Sequence, residues 1–92
     1  MTATRIPARV DGFLLERMDD EVLLYHPRLA KTIRLNDTAA IVWELCDGAR
    51  SAGEITTLLE EAYPDDQQID EDVDAVLQRL ADEGALVFSP QP

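Results

Sequence analysis

The chain has 92 residues, 46% apolar and 29% charged, which suits one small globular domain and is too apolar for a disordered chain. Roughly 60% of the unfolded surface can be buried at this size, so stability is limited to a few kcal/mol. Nineteen Asp and Glu against eight Lys and Arg give a net charge of −11, a surface that repels nucleic-acid phosphates and anionic lipid headgroups.

Cys46 is the single cysteine, so no internal disulfide forms, and that usage fits a reducing compartment. The longest apolar run, Ala39–Trp43, is far short of the ~20 residues that span a bilayer. The residues after Met1 show no apolar stretch of signal-peptide length. The expectation is a cytoplasmic protein with neither a nucleic-acid nor a membrane partner. Charge is unevenly placed: residues 1–50 carry seven bases and eight acids, whereas residues 51–92 carry eleven acids and one base, Arg79.

In chain order, residues 1–9 and 89–92 read as flexible termini around a domain at 10–88. From about Gly12 to Leu35 the pattern suits strands. Phe13–Leu15 leads to Glu16–Met18, and Asp19-Asp20 marks a turn. Val22–Tyr25 is a short buried-looking run broken by His26-Pro27. The third stretch alternates, with Leu29, Lys31, Ile33 and Leu35 on one side and Ala30, Thr32 and Arg34 on the other. Short connections make this an antiparallel meander.

From Asn36 the period becomes helical. Asn36 is a good N-cap, the first helix runs to about Asp47, and Gly48 is free to turn left-handed beyond it. Ser51-x-x-Glu54 is a capping box opening a second helix with Ile55, Leu58, Leu59, Ala62 and Tyr63 on one face, stopped by Pro64. A third helix is expected from Asp65 or Asp66, with Ile69, Val73, Val76, Leu77 and Leu80 as its apolar stripe and Gly84 at its end. Ala85–Phe88 leaves room for a short closing strand. The fold class is α+β and winged helix-turn-helix-like: a three-stranded antiparallel meander followed by three helices.

Catalysis, metal and cofactor chemistry find little support. One His and one Cys stand twenty positions apart, without metal-ligand spacing. His26, before Pro27, reads as a solvated turn residue lacking an orienting partner. Cys46 shares a helix side with Val42 and reads as a small buried hydrophobe. Asp70-x-Asp72-x-Asp74 lacks the loop glycine and twelfth-position Glu of an EF-hand, so it fits helix N-terminal electrostatics better. No phosphate-binding glycine loop is present. A winged-helix regulator would place the third helix on DNA, yet the expected exposed face holds Asp70, Glu71, Asp72, Asp74, Gln78, Arg79, Asp82 and Glu83, six of which repel phosphate.

Binding of a peptide or protein remains. The third strand ends the meander, so it should be a sheet edge to which an extended peptide can add. Arg28, Lys31 and Arg34 cluster there; these charges could equally protect the edge from aggregation.

Ile33-Arg34-Leu35-Asn36-Asp37-Thr38-Ala39-Ala40, then Leu45-Cys46-Asp47-Gly48, then Glu54-Ile55, closely resembles the PqqD family. Its members carry a Leu-Asn-x-Thr-Ala segment, a Leu-x-Asp-Gly helix end and an acidic residue before Ile. Val22–Tyr25 and Glu83–Leu86 fit the same pattern, so the resemblance spans roughly residues 10–88. One departure is His26 standing where the family often has Tyr before Pro. The resemblance implies a non-enzymatic peptide chaperone in biosynthesis of pyrroloquinoline quinone (PQQ). Such a protein binds the precursor peptide PqqA and presents it to the radical-SAM enzyme PqqE, which cross-links a Glu to a Tyr. The same fold serves as a leader-peptide recognition element in other pathways, where the leader lies beside the third strand and against the third helix. Carried over, the peptide groove is Lys31, Thr32, Ile33 and Arg34 with Val73, Val76, Leu77 and Leu80; no cofactor is implied. A scaffold subunit without peptide ligand is a further reading, and an exposed edge also permits homodimer pairing.

Overall fold

The computed structural model describes residues 5–90. Its elements are β1 (Arg5–Arg9), β2 (Leu14–Arg17), β3 (Val22–His26), β4 (Lys31–Leu35), α1 (Asp37–Leu45), α2 (Ala52–Ala62), α3 (Ile69–Asp82) and β5 (Leu86–Pro90). β2, β3 and β4 form an antiparallel meander in that order, and β1 pairs with β5 as a separate two-stranded ribbon. The expected meander, three helices and closing strand are all present.

Alternation along β3 and β4 sets the inner face. Val22, Leu24 and His26 are buried on β3, and Ile33 and Leu35 on β4; the register opposes Val22 to Leu35 and Leu24 to Ile33. These side chains meet α1 and α3, which supply Ala40, Val42, Val73, Leu77 and Leu80, while α2 adds Ile55 and Leu59. α3 is the central helix, packed on α1, α2 and β5. Among the described residues no helix is long and apolar enough to cross a membrane.

The two caps anticipated from sequence form. Asn36 Oδ1 accepts from the Ala39 N–H at 2.7 Å, and Ser51 and Glu54 satisfy each other's backbone N–H at 3.0 and 3.1 Å. Gly48 and Gly84 take positive φ of 82° just beyond their helices, where a Cβ is strained.

Four expectations need correction. Arg5–Arg9, expected to be a loose end, is a strand: it pairs antiparallel with Leu86–Pro90, so residue 89 is not a loose end either. Arg9 N–H and Gly48 N–H also bond to Cys46 and Pro7 carbonyls across β1's other side. Residues 1–4 and 91–92 of the expected flexible termini lie outside the described residues. Next, Leu29, expected to alternate with Lys31, Ile33 and Leu35, falls outside β4: Pro27–Ala30 forms a turn closed by the left-handed Ala30 (φ 51°), leaving Leu29 62% exposed. α3 begins at Ile69, not Asp65 or Asp66; the Asp66 carboxylate instead accepts the Gln68 N–H and holds a turn. Finally, His26 is buried, at 7% exposure. Its Nδ1 accepts from the Leu29 N–H and its Nε2 faces the Asp11 carbonyl, each at 3.2 Å, with its ring edge-on to Phe13.

Candidate functional site

The β2–β3 turn fixes which backbone groups of β4 are free. Met18 and Glu21 exchange both of their N–H···O bonds, at 2.8 and 3.3 Å. In an antiparallel ladder such pairs recur every second residue, so Glu16–Leu23 and Leu14–Tyr25 are bonded in the same way along the observed register. Leu23 and Tyr25 therefore direct their backbone groups to β2, and Val22, Leu24 and His26 direct theirs to β4. Their partners Leu35, Ile33 and Lys31 point back. Thr32 and Arg34 are left with N–H and C=O turned outward, on an edge with no strand beside it among the described residues.

α3 forms the other wall of this edge. Arg79 donates from its guanidinium to the Arg34 carbonyl at 2.7 Å, an independent sign that this carbonyl faces away from β3. Further toward the N-terminus of α3, a cavity of about 220 Å³ is lined by Asn36, Thr38, Asp72, Ala75 and Val76. α3 thus runs past the end of β4 with Asp72 and Val76 beside Asn36 and with Arg79 beside Arg34.

The residues expected at the groove divide accordingly. Thr32 and Arg34 are exposed, and Lys31 and Val76 are half-buried. Ile33, Val73, Leu77 and Leu80 are at most 1% exposed: they are core, and a ligand cannot reach their side chains in this packing. On the side of α3 toward Asn36 and Arg34 lie Asp72, Ala75 and Arg79, each one residue before Val73, Val76 and Leu80 of the apolar stripe, together with the half-buried Val76. One residue is 100° of helix, enough to turn a stripe from core to groove. Asp72, Ala75 and Arg79, which stand beside this edge, are not among the residues expected there; the sequence signal for one of them is that Arg79 is the lone base of residues 51–92.

Charge at this edge is opposite in sign to the molecule. Arg34 pairs with Glu21 at 2.5 Å. Arg28, Lys31 and Arg79 make no ion pair among the described residues, despite the nineteen acids in the chain. Reactive groups are poorly placed for chemistry. Both His26 ring nitrogens are engaged within the protein. Cys46 is buried, its thiol donates to the Val42 carbonyl at 3.0 Å, and burial pushes its pKa up to about 12. Among the described residues no group of three or more His, Cys, Asp or Glu is placed to hold a metal ion. What the site offers is an extended backbone edge with cations around it.

The domain is α+β and winged helix-turn-helix-like, with one edge of its meander, β4, unpaired among the described residues. The chain belongs to the PqqD family: residues 21–86 match the family described as Coenzyme PQQ synthesis protein D (PqqD). It is 37% identical over 81 residues, 85% of each chain, to a "PqqA binding protein" of Klebsiella pneumoniae (strain 342), and a second such protein of Klebsiella pneumoniae matches equally. Two solved structures share the fold. One is TbiB1 in complex with the TbiA(beta) leader peptide, with TM-score 0.69, 24% identity, and coverage of 86% of this chain and 93% of that one. The other is lasso peptide synthetase B1 complexed with the leader peptide, with TM-score 0.72, 19% identity, and coverage of 89% and 98%.

Proposed function

We propose that this chain is the precursor-peptide chaperone of PQQ biosynthesis, acting in the cytoplasm without catalysing a reaction of its own. It binds PqqA as an extended strand on the outer edge of β4 and presents it to the radical-SAM enzyme PqqE. The observation that carries this reading is the pair of residues Thr32 and Arg34, whose outward backbone groups lie on the unpaired edge of β4 beside α3 in a PqqD-family chain. Two relatives that bind PqqA by name, and two leader-peptide complexes of the same fold, support it. The leader-peptide complexes equally suit recognition of a leader in another peptide-modifying pathway, with the same edge and a different precursor. DNA regulation is disfavoured, since the exposed positions of α3 include Asp70, Glu71, Asp72, Asp74 and Asp82. Two copies pairing through the β4 edge would form a homodimer in competition with the peptide.

The test is proline substitution, which deletes one N–H. Thr32→Pro removes an outward donor and should leave the domain folded while weakening PqqA roughly fivefold or more. Ile33→Pro removes an inward donor and should damage the sheet. Circular dichroism reports folding and titration with PqqA reports affinity. A folded Thr32→Pro variant that binds PqqA as tightly as the parent protein would exclude strand addition at β4.

A further inference from the structure

Arg79 ignores the acids best placed to pair with it. Asp82 and Glu83 follow it by three and four residues, the spacing of helical ion pairs. Its guanidinium instead reaches across to the Arg34 carbonyl, one of the four outward backbone groups of β4. The edge is therefore partly capped by a side chain, while the Thr32 N–H and C=O and the Arg34 N–H stay open. A strand pairing at Arg34 brings its own N–H to that oxygen, and the guanidinium has to move off the bond axis. It then lies under the added strand with less water around it, where a cation needs a counter-charge. No carboxylate of the protein is paired with it: Arg79, Lys31 and Arg28 make no ion pairs among the described residues, and Asp82 accepts from the Gln78 side-chain amide at 2.9 Å instead.

We propose that Arg79 reads an acidic side chain of the bound peptide, yielding the Arg34 carbonyl to an N–H of the added strand and pairing with a carboxylate of that strand. This inference rests on the β4 edge being the peptide site. It also fixes register. Asp72 lies two helical turns before Arg79, about 10 Å away, which matches about three residues of an extended chain. A carboxylate displaced by that amount would meet Asp72 and the Asn36–Thr38 cavity and be repelled.

The test uses the full chain and the PqqA peptide of Klebsiella pneumoniae, together with peptides in which each Asp or Glu is changed singly to its amide. Binding is titrated at low salt to the parent protein, Arg79→Gln, Arg79→Lys and Thr32→Pro. Arg79 is exposed, so its variants should fold; melting curves confirm that. One amide peptide should lose roughly three- to tenfold in affinity for the parent protein. The same change should cost less than about twofold on Arg79→Gln, with Arg79→Lys in between. Equal losses on parent protein and Arg79→Gln for every acid overturn the proposal. So does a tighter Arg79→Gln that keeps the full acid dependence, which would make Arg79 a cap and nothing more. If that cycle is flat while Thr32→Pro still weakens PqqA, the charge reading fails and strand addition stands. A folded Thr32→Pro with undiminished binding, or a parent protein that binds no PqqA, overturns both.

Discussion

Gly12 and His26 show how a single backbone position can decide a local structure. Gly12 sits at φ +97°, and a Cβ there would run into the His26 ring, which is held between the Asp11 carbonyl and the Leu29 N–H. Gly12→Ala is expected to cost about 1–3 kcal/mol in denaturant unfolding; an unchanged midpoint would mean the ring is not held there. Asn36→Ala should cost about 1 kcal/mol through the lost cap, with PqqA affinity changed only as far as folding changes. Two titrating groups give signed pH effects. Backbone N–H groups of Arg50 and Ala49 hold the Asp47 carboxyl below its ordinary value. Its contribution is present above that ordinary value and lost as pH falls through the lower folded one, so the melting-temperature gap between the parent protein and Asp47→Ala should narrow on going from pH 7 to pH 3. Cys46 behaves oppositely. Unfolded, its thiol ionises near the ordinary value of 9.0, while burial keeps it protonated to about 12. Stability should therefore fall as pH rises past 9, and iodoacetamide at neutral pH should alkylate Cys46 only in denaturant.

Among the elements, β1 is the one whose removal should matter most relative to expectation. It lies between β5 and the Cys46–Gly48 segment, and Pro7 is fully buried. Deleting residues 1–9 should cost on the order of 2 kcal/mol or more, whereas a loose terminus could be removed freely; thermal melting of the truncated chain distinguishes these. β1 was illegible because Arg5-Ile6-Pro7-Ala8-Arg9 shows no clear alternation, contains a proline, and pairs with residues at the opposite end of the chain. The helices were legible because their signals are local: the Asn36 cap and the Ser51–Glu54 box each close within four residues. The start of α3 misled for a related reason. Asp65 and Asp66 after Pro64 look like a cap, but the Asp66 side chain stabilises a turn at Gln68 instead. Within the groove, β4 was readable from its alternation, while the α3 wall was not. An apolar stripe announces burial; Asp72, Ala75 and Arg79 lie beside that stripe, and Val76, within it, is only half-buried.

For the molecule as a whole, a net charge of −11 surrounds one edge furnished with Arg28, Lys31, Arg34 and Arg79. The α2–α3 side, with eleven acids and one base in residues 51–92, repels an acidic peptide, so the field favours approach at that edge over approach there. PqqA affinity should fall with added salt in the parent protein and fall less steeply in Arg79→Gln. The most direct measurement is amide hydrogen exchange, residue by residue along β4, with and without PqqA. In the free protein Lys31, Ile33 and Leu35 should already be protected by β3, while Thr32 and Arg34 exchange fast. Saturating PqqA should slow Thr32 and Arg34 selectively, giving the whole strand protection. If PqqA binds and the Thr32 and Arg34 amides still exchange at the free rate, the peptide does not add to β4.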